Sequence, residues 1–241
     1  MTISSPPASP SAEPKRRKLL PEMEGSAARR YAKQRGTAPQ LEHYRQDAAR
    51  LTAKIPTGAA ILEVAPGPGY LAVEFARDGR FEVTGLDISE TFVALARELA
   101  TRSGVQVDFR QGDVTAMPFG SGQFDLVVTQ AAFKNFDRPL TAINEIHRML
   151  KPGGRAVIQD MSADAGRAAI ANEVAGMRLG RGAAWMTRRI LTMLRRRAYS
   201  AGQLEDLARR SAFGGAQVTT GGISLEAVLT KAADARDQPP D

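Results

Sequence analysis

Ile61-Leu62-Glu63-Val64-Ala65-Pro66-Gly67-Pro68-Gly69-Tyr70 is an apolar run that ends in a proline–glycine loop. Ile61, Leu62 and Val64 read as a buried strand, and Leu71, Val73, Phe75 and Ala76 as a helix that Gly79 stops. Glycines between a strand and a helix let the backbone approach a nucleotide-like ligand, with the amides of the helix start pointing towards it. Glu63 sits inside the strand, and a buried glutamate needs a partner. Two partners fit: an internal hydrogen bond that shapes the loop, or the ammonium group of a ligand. Taken alone, Gly67-x-Gly69-x-x-Ala72 also fits a dinucleotide.

The same strand-then-helix unit recurs downstream. Phe81 to Leu86 reads as a second strand ending at Asp87, with Ser89 placed to cap a helix carrying Phe92, Leu95, Ala96 and Leu99. Val105 to Arg110 reads as a third strand and Phe124 to Thr129 as a fourth, apolar enough to be central. A helix with Leu140, Ile143, Ile146 and Leu150 on one face follows, and Lys151-Pro152-Gly153-Gly154 breaks the chain before a fifth strand, Arg155 to Met161. Upstream, Leu41, Tyr44, Ala48 and Leu51 recur at helical spacing after Pro39. Such alternation predicts a parallel sheet with helices on both faces. Near the end, Gln217 to Thr220 and Ser224 to Thr230 flank Gly221-Gly222-Ile223, which predicts a closing antiparallel hairpin. The expected class is therefore α/β, Rossmann-like and doubly wound, with a mostly parallel seven-stranded sheet.

Open parallel sheets bind ligands beyond the carboxyl ends of their strands. The residues found there are the glycine loop, Asp87, Asp113-Val114, Gln130 and Asp160. A carboxylate ending the second strand suits a ribose diol, although an acid beside Ser89 also suits a helix entry. Asp113 could hold an adenine amino group or simply make a turn. Lys134 and Asp137 follow the fourth strand and face either an acceptor or water. Of the two histidines, His147 is expected to pack near a helix end, and His43 to lie on a helix beside the pocket.

Composition removes other chemistries. The chain has 241 residues, enough for one domain with tails, and no cysteine, so disulfides, thiolate metal sites and cysteine nucleophiles are excluded. No metal site is expected. No apolar run approaches the roughly 18 residues of a membrane span, and nothing reads as a signal peptide, so a cytoplasmic protein is expected. The formal net charge is +7, but the basic clusters lack interleaved aromatics, which disfavours nucleic acid. Residues 1–25, with Lys15, Arg16, Arg17 and Lys18, are expected to form a disordered basic tail, and residues 233–241 a flexible one. Trp185 to Arg197 reads as a basic amphipathic helix. It could pack with a solvated arginine face, cover the pocket, bind an acidic substrate, or lie on a membrane surface.

Four segments together resemble the class I S-adenosyl-L-methionine-dependent methyltransferases. They are Leu62 to Gly69, Val83 to Ser89, Gly112 to Phe119 and His147 to Arg155. Ala132-Phe133-Lys134-Asn135-Phe136-Asp137 is similar to the stretch after strand four in the ubiquinone/menaquinone type, the nearest branch. The resemblance implies S-adenosyl-L-methionine as cofactor, with Glu63, Ala65, Gly67 and Gly69 around its methionine part. It implies Asp87 on the ribose, Ile88 on the adenine face, Asp113 and Val114 at the adenine edge, and Gln130 beside the methionine or the acceptor. Residues 26–232 would form the methyltransferase domain, with 26–56 as lid helices and 162–212 as an insertion that shapes the acceptor site. Tyr31, Arg35 and His43 become lid or acceptor contacts. His43, Tyr31 and Lys134 are the weak candidates for catalysis. The expected reaction is in-line methyl transfer to a small molecule. Two alternatives stay open, an NAD(P)-dependent oxidoreductase and a non-catalytic cofactor-binding protein. The first lacks a Tyr-x-x-x-Lys pair for hydride chemistry and a second cofactor-binding half.

Overall fold

Alternate side chains of each central strand belong to two different cores, and this places the helices. In the computed structural model, which describes Glu13, Lys15, Arg16 and residues 22–233, the sheet contains β1 (Ala60–Val64), β2 (Glu82–Asp87), β3 (Asp108–Gln111), β4 (Phe124–Gln130), β5 (Leu150–Met161), β6 (Gln217–Gly221) and β7 (Ser224–Thr230). Ile61, Val83, Leu126, Val128 and Val157 point to one face, where they meet α2 (Ala38–Thr52), α3 (Tyr70–Arg77) and α4 (Glu90–Ser103). Leu62, Leu86, Val127 and Ile158 point to the other, against α5 (Pro139–Met149) and α8 (Ala201–Arg210). Leu62 and Leu126 are fully buried, so truncating either to alanine would cost about 2–5 kcal/mol.

The strand order is β3-β2-β1-β4-β5-β7-β6. β1 to β5 run parallel, and β7 pairs antiparallel with both β5 and β6. The chain therefore winds outward in one direction from β1 and in the other from β4. The carboxyl ends of these two neighbours form the switch point.

Two boundaries differ from the sequence reading. β5 begins at Leu150 rather than Arg155, because Lys151 to Gly154 are carried as a bulge. Leu150 pairs with Phe124 and Arg155 with Leu126, so the β5 side holds extra residues. β3 pairs only over Asp108–Gln111, while Val105 and Val107 pack on the core without strand partners.

Pro39 lies in the first turn of α2, where its missing N–H costs nothing. Before it, α1 (Gly25–Arg35) packs on α4. The region between β5 and α8 holds α6 (Arg167–Gly176) and α7 (Arg181–Arg195), which pack on each other and on a small cluster of Met161, Ile170 and Ala198. Most of the stretch expected to be a loose tail lies outside the described residues, as does most of the last segment. Within the first, Glu13 accepts from the Leu140 and Thr141 amides at the start of α5, and Arg16 bonds to the Tyr199 hydroxyl.

Candidate active site

β1 leaves the sheet through Ala65, a non-glycine residue held at φ 57°, whose N–H donates to the Leu86 carbonyl at 2.7 Å. β4 leaves through Ala131, also at φ 57°, with its N–H on the Gln159 carbonyl. Left-handed alanine costs about 1–2 kcal/mol. Both strained residues flank the switch point, where strain commonly marks a functional site.

The loop that follows is tied to β2. The Gly67 N–H donates to Asp87 Oδ2 at 2.9 Å, and the Ser89 N–H to Asp87 Oδ1 at 2.9 Å. Asp87 thus fixes both the glycine loop and the entrance of α4. Burial raises its pKa, opposed by the Ser89 and Gly67 amides. The two loop glycines do different work. A Cβ on Gly67, at φ 55°, would meet only Tyr31, 4.0 Å away, so this glycine faces the space under α1. A Cβ on Gly69, at φ 82°, would lie 2.8 Å from both Ala96 and Phe109. Gly69 therefore admits close packing of the loop on the core.

Glu63 lies beneath this loop, 3% exposed. Its Oε2 has no hydrogen-bond partner among the described residues. Burial pushes its carboxyl up to about 8; the Ala72 amide opposes that shift and the Asp87 charge adds to it.

The N-terminal helices close over the loop. Glu24 accepts from the Glu90 and Thr91 amides at the α4 start, and Ser89 Oγ donates to the Met23 carbonyl. Tyr31 packs edge-on against Phe92, with ring centroids 5.8 Å apart. The Tyr70 hydroxyl donates to the Ala32 carbonyl, and Arg35 Nε to the Tyr44 hydroxyl at 3.0 Å. Burial drives the Tyr44 hydroxyl up to about 12 against the pull of Arg35. Tyr44 reads in the sequence as an apolar helix position; its contact with Arg35 depends on the α1–α2 turn.

Several of the expected site residues are engaged elsewhere. Lys134 is not solvated. Its Nζ is buried at 2.7 Å from Asp160 Oδ1, and its backbone N–H donates to Asp160 Oδ2. This pair consumes one of the strand-end carboxylates and leaves Lys134 without a free amine. Gln130 Nε2 donates to Asp47 Oδ2 at 2.7 Å and to Gln159 Oε1 at 3.1 Å. Gln159 continues to Glu226, which Arg50 also binds. His43 joins this network only at its edge, 3.3 Å from Asp47, with a 62% exposed side chain. Asp113 is exposed and accepts from the Thr115 amide and hydroxyl, while Val114 is half-buried on the core. Ile88 is 41% exposed beside Asp87, an apolar surface left open at the rim. His147 packs edge-on against Phe213, and burial lowers its pKa. The sequence hinted at the Asp47 network only through the His43–Asp47 helical spacing; the rest requires β4, β5 and β7 to be neighbours. Among the described residues no cluster of metal-ligating side chains occurs.

Residues 62–158 match the family described as "Methyltransferase domain". The matched stretch runs from β1 into β5, so it takes in the glycine loop and the strand ends around it. Over 99 residues the chain is 39% identical to a demethylmenaquinone methyltransferase of Thermus thermophilus, covering 41% of this chain and 45% of that protein. Over 125 residues it is 36% identical to a malonyl-[acyl-carrier protein] O-methyltransferase of Enterobacter lignolyticus, covering 51% and 48%. The chain thus spans about half the length of these curated relatives. The chain also shares its fold with a magnesium protoporphyrin IX methyltransferase from Synechocystis, solved with bound SAH. That likeness has a TM-score of 0.62 at 16% identity and covers 87% of this chain and 96% of the other. The oxidoreductase alternative gains no support from these likenesses.

Proposed function

We propose that this chain binds S-adenosyl-L-methionine at the carboxyl ends of β1, β2 and β4 and transfers its methyl group to a small-molecule acceptor. The observation that carries the reading is Glu63, a buried carboxyl with an unpartnered oxygen beneath the glycine loop. A cationic amine is the chemistry that would complete it. The open side of Gly67, the carboxylate of Asp87 and the bare side chain of Ile88 then suit an amino-acid end, a ribose diol and an adenine face in turn.

When bound, the cofactor would supply a methyl group on a sulfonium, with a neutral thioether as the leaving group. The residues around it have three tasks. Glu63 and Asp87 hold and orient the two ends. Tyr31 and α1 cover the loop and exclude water. α2 and the segment around α6 and α7 wall the space left for the acceptor. Proximity and orientation can supply roughly 7–11 kcal/mol of such a barrier. Lys134 is neutralised by Asp160 and His43 lies on the surface, so neither supplies the driving force; the reading rests on alignment. The relatives are named for quinone and acyl-carrier chemistry. A quinone-type or comparable small molecule in the cytoplasm is the acceptor class proposed here.

Incubation with methyl-labelled cofactor and a panel of quinols, phenols, amines and carboxylates tests the reaction. Label in one acceptor class supports transfer. Cofactor binding without transfer to any member would reassign the chain to a non-catalytic role.

A further inference from the structure

Helix α7 has one apolar face, wider than its packing covers. Leu191 and Leu194 face inward onto the cluster of Met161, Ile170 and Ala198. Met186, Ile190 and Met193, spaced by four and three, extend that face beyond the packed part and are exposed. Trp185 beside them is 58% exposed. Together with Met177 and Leu179 these make six of the eight large hydrophobic side chains exposed among the described residues. A helix that only packs on its own domain needs no such exposed extension of its apolar face.

The charge is equally concentrated. Residues 174–200 hold seven arginines and no aspartate or glutamate, while the whole chain has a formal net charge of +7. The remainder of the chain is charge-balanced, so the entire excess lies in this segment. Among the described residues none of the seven arginines enters an ion pair. Arg189 lies over the Trp185 ring, 5.1 Å from its centroid.

We infer that α7 docks the protein onto a lipid surface carrying acidic headgroups. Methionine, isoleucine and tryptophan side chains would enter the boundary of the acyl region, while the flanking arginines meet the headgroups. A second copy on this face would set two unbalanced arginine sets against each other, at a repulsive cost. A nucleic-acid backbone would satisfy the arginines but leave the apolar stripe in water. The inference does not depend on the methyl-transfer reading.

Trp185 is the only tryptophan in the chain and reports on its own surroundings. Its emission is measured as vesicles are added, either phosphatidylcholine alone or phosphatidylcholine mixed with phosphatidylglycerol. The expected result is a blue shift, and quenching by brominated lipid, with the acidic vesicles. Affinity for these should be on the order of tenfold or more above the neutral ones and should fall with added salt. Sedimentation with acidic vesicles should be lost in Met186→Glu/Ile190→Glu, whose far-ultraviolet dichroism should match the parent because both side chains are exposed. Unchanged emission with acidic vesicles, or equal sedimentation of the variant, would overturn the inference. So would a lipid-free dimer whose Trp185 emission is already blue-shifted, which would assign the face to a second copy.

Discussion

If Glu63 takes the cofactor's amine, as proposed, proton and ligand binding are coupled at one carboxyl group. Its carboxyl titrates near 8 in the folded chain and in the ordinary carboxyl range when unfolded, because burial disfavours the anion. Between these values the folded chain keeps a proton that the unfolded chain has lost. The contribution of this group to stability is therefore intact at low pH and falls as pH rises towards 8. Thermal unfolding across that range should show this decline in the parent and a flatter curve in Glu63→Gln. A cation placed beside Glu63 ionises it, so cofactor binding should release a proton and tighten as pH approaches 8. Calorimetry in two buffers of different ionisation enthalpy reads that proton directly. The two glycines separate in the same way. Gly69→Ala should destabilise by about 1–3 kcal/mol in chemical denaturation, since its Cβ would collide with Ala96 and Phe109. Gly67→Ala, meeting only Tyr31, should cost about 1 kcal/mol through its dihedral. Glu63, Gly67 and Asp87 were legible in the sequence because each stands at a strand end beside a loop. The packing role of Gly69 was not, because it depends on Phe109, which comes from another strand.

At the scale of elements, alternation of apolar runs made the five parallel strands and the hairpin readable. The β5 bulge was hidden: Lys151 to Gly154 carry breaker residues, and only pairing with β4 holds them in the strand. The buried ion pair is a second case. Lys134 follows β4 and Asp160 ends β5, so their meeting depends on strand adjacency that local sequence does not encode. Removing one partner strands the other charge. Lys134→Met should cost about 3–5 kcal/mol, and adding Asp160→Leu should restore much of it. Urea denaturation of the single and double variants measures both terms. If Lys134 were instead a base for the reaction, the double variant would regain stability but lose transfer.

The whole molecule divides its tasks between a charge-balanced sheet domain and one basic, apolar helical segment. The fold was legible because each level agreed: strand composition, helix period and turn residues all pointed to one winding order. What remained hidden were long-range polar contacts, including the Asp47–Gln130–Gln159–Glu226 chain that ties α2 to three strands. That chain and the α1 contacts hold α1 and α2 beside the switch point. The central claim is that this switch point takes an S-adenosyl nucleoside, with its amino-acid end and ribose held through Glu63 and Asp87. Calorimetric titration of the chain with S-adenosyl-L-homocysteine and NAD, alongside Glu63→Gln and Asp87→Ala, tests it most directly. The account predicts one site of micromolar order for S-adenosyl-L-homocysteine, no response to NAD, and affinity weakened about tenfold or more in each variant. Binding of NAD alone, or unchanged affinity in both variants, would contradict it.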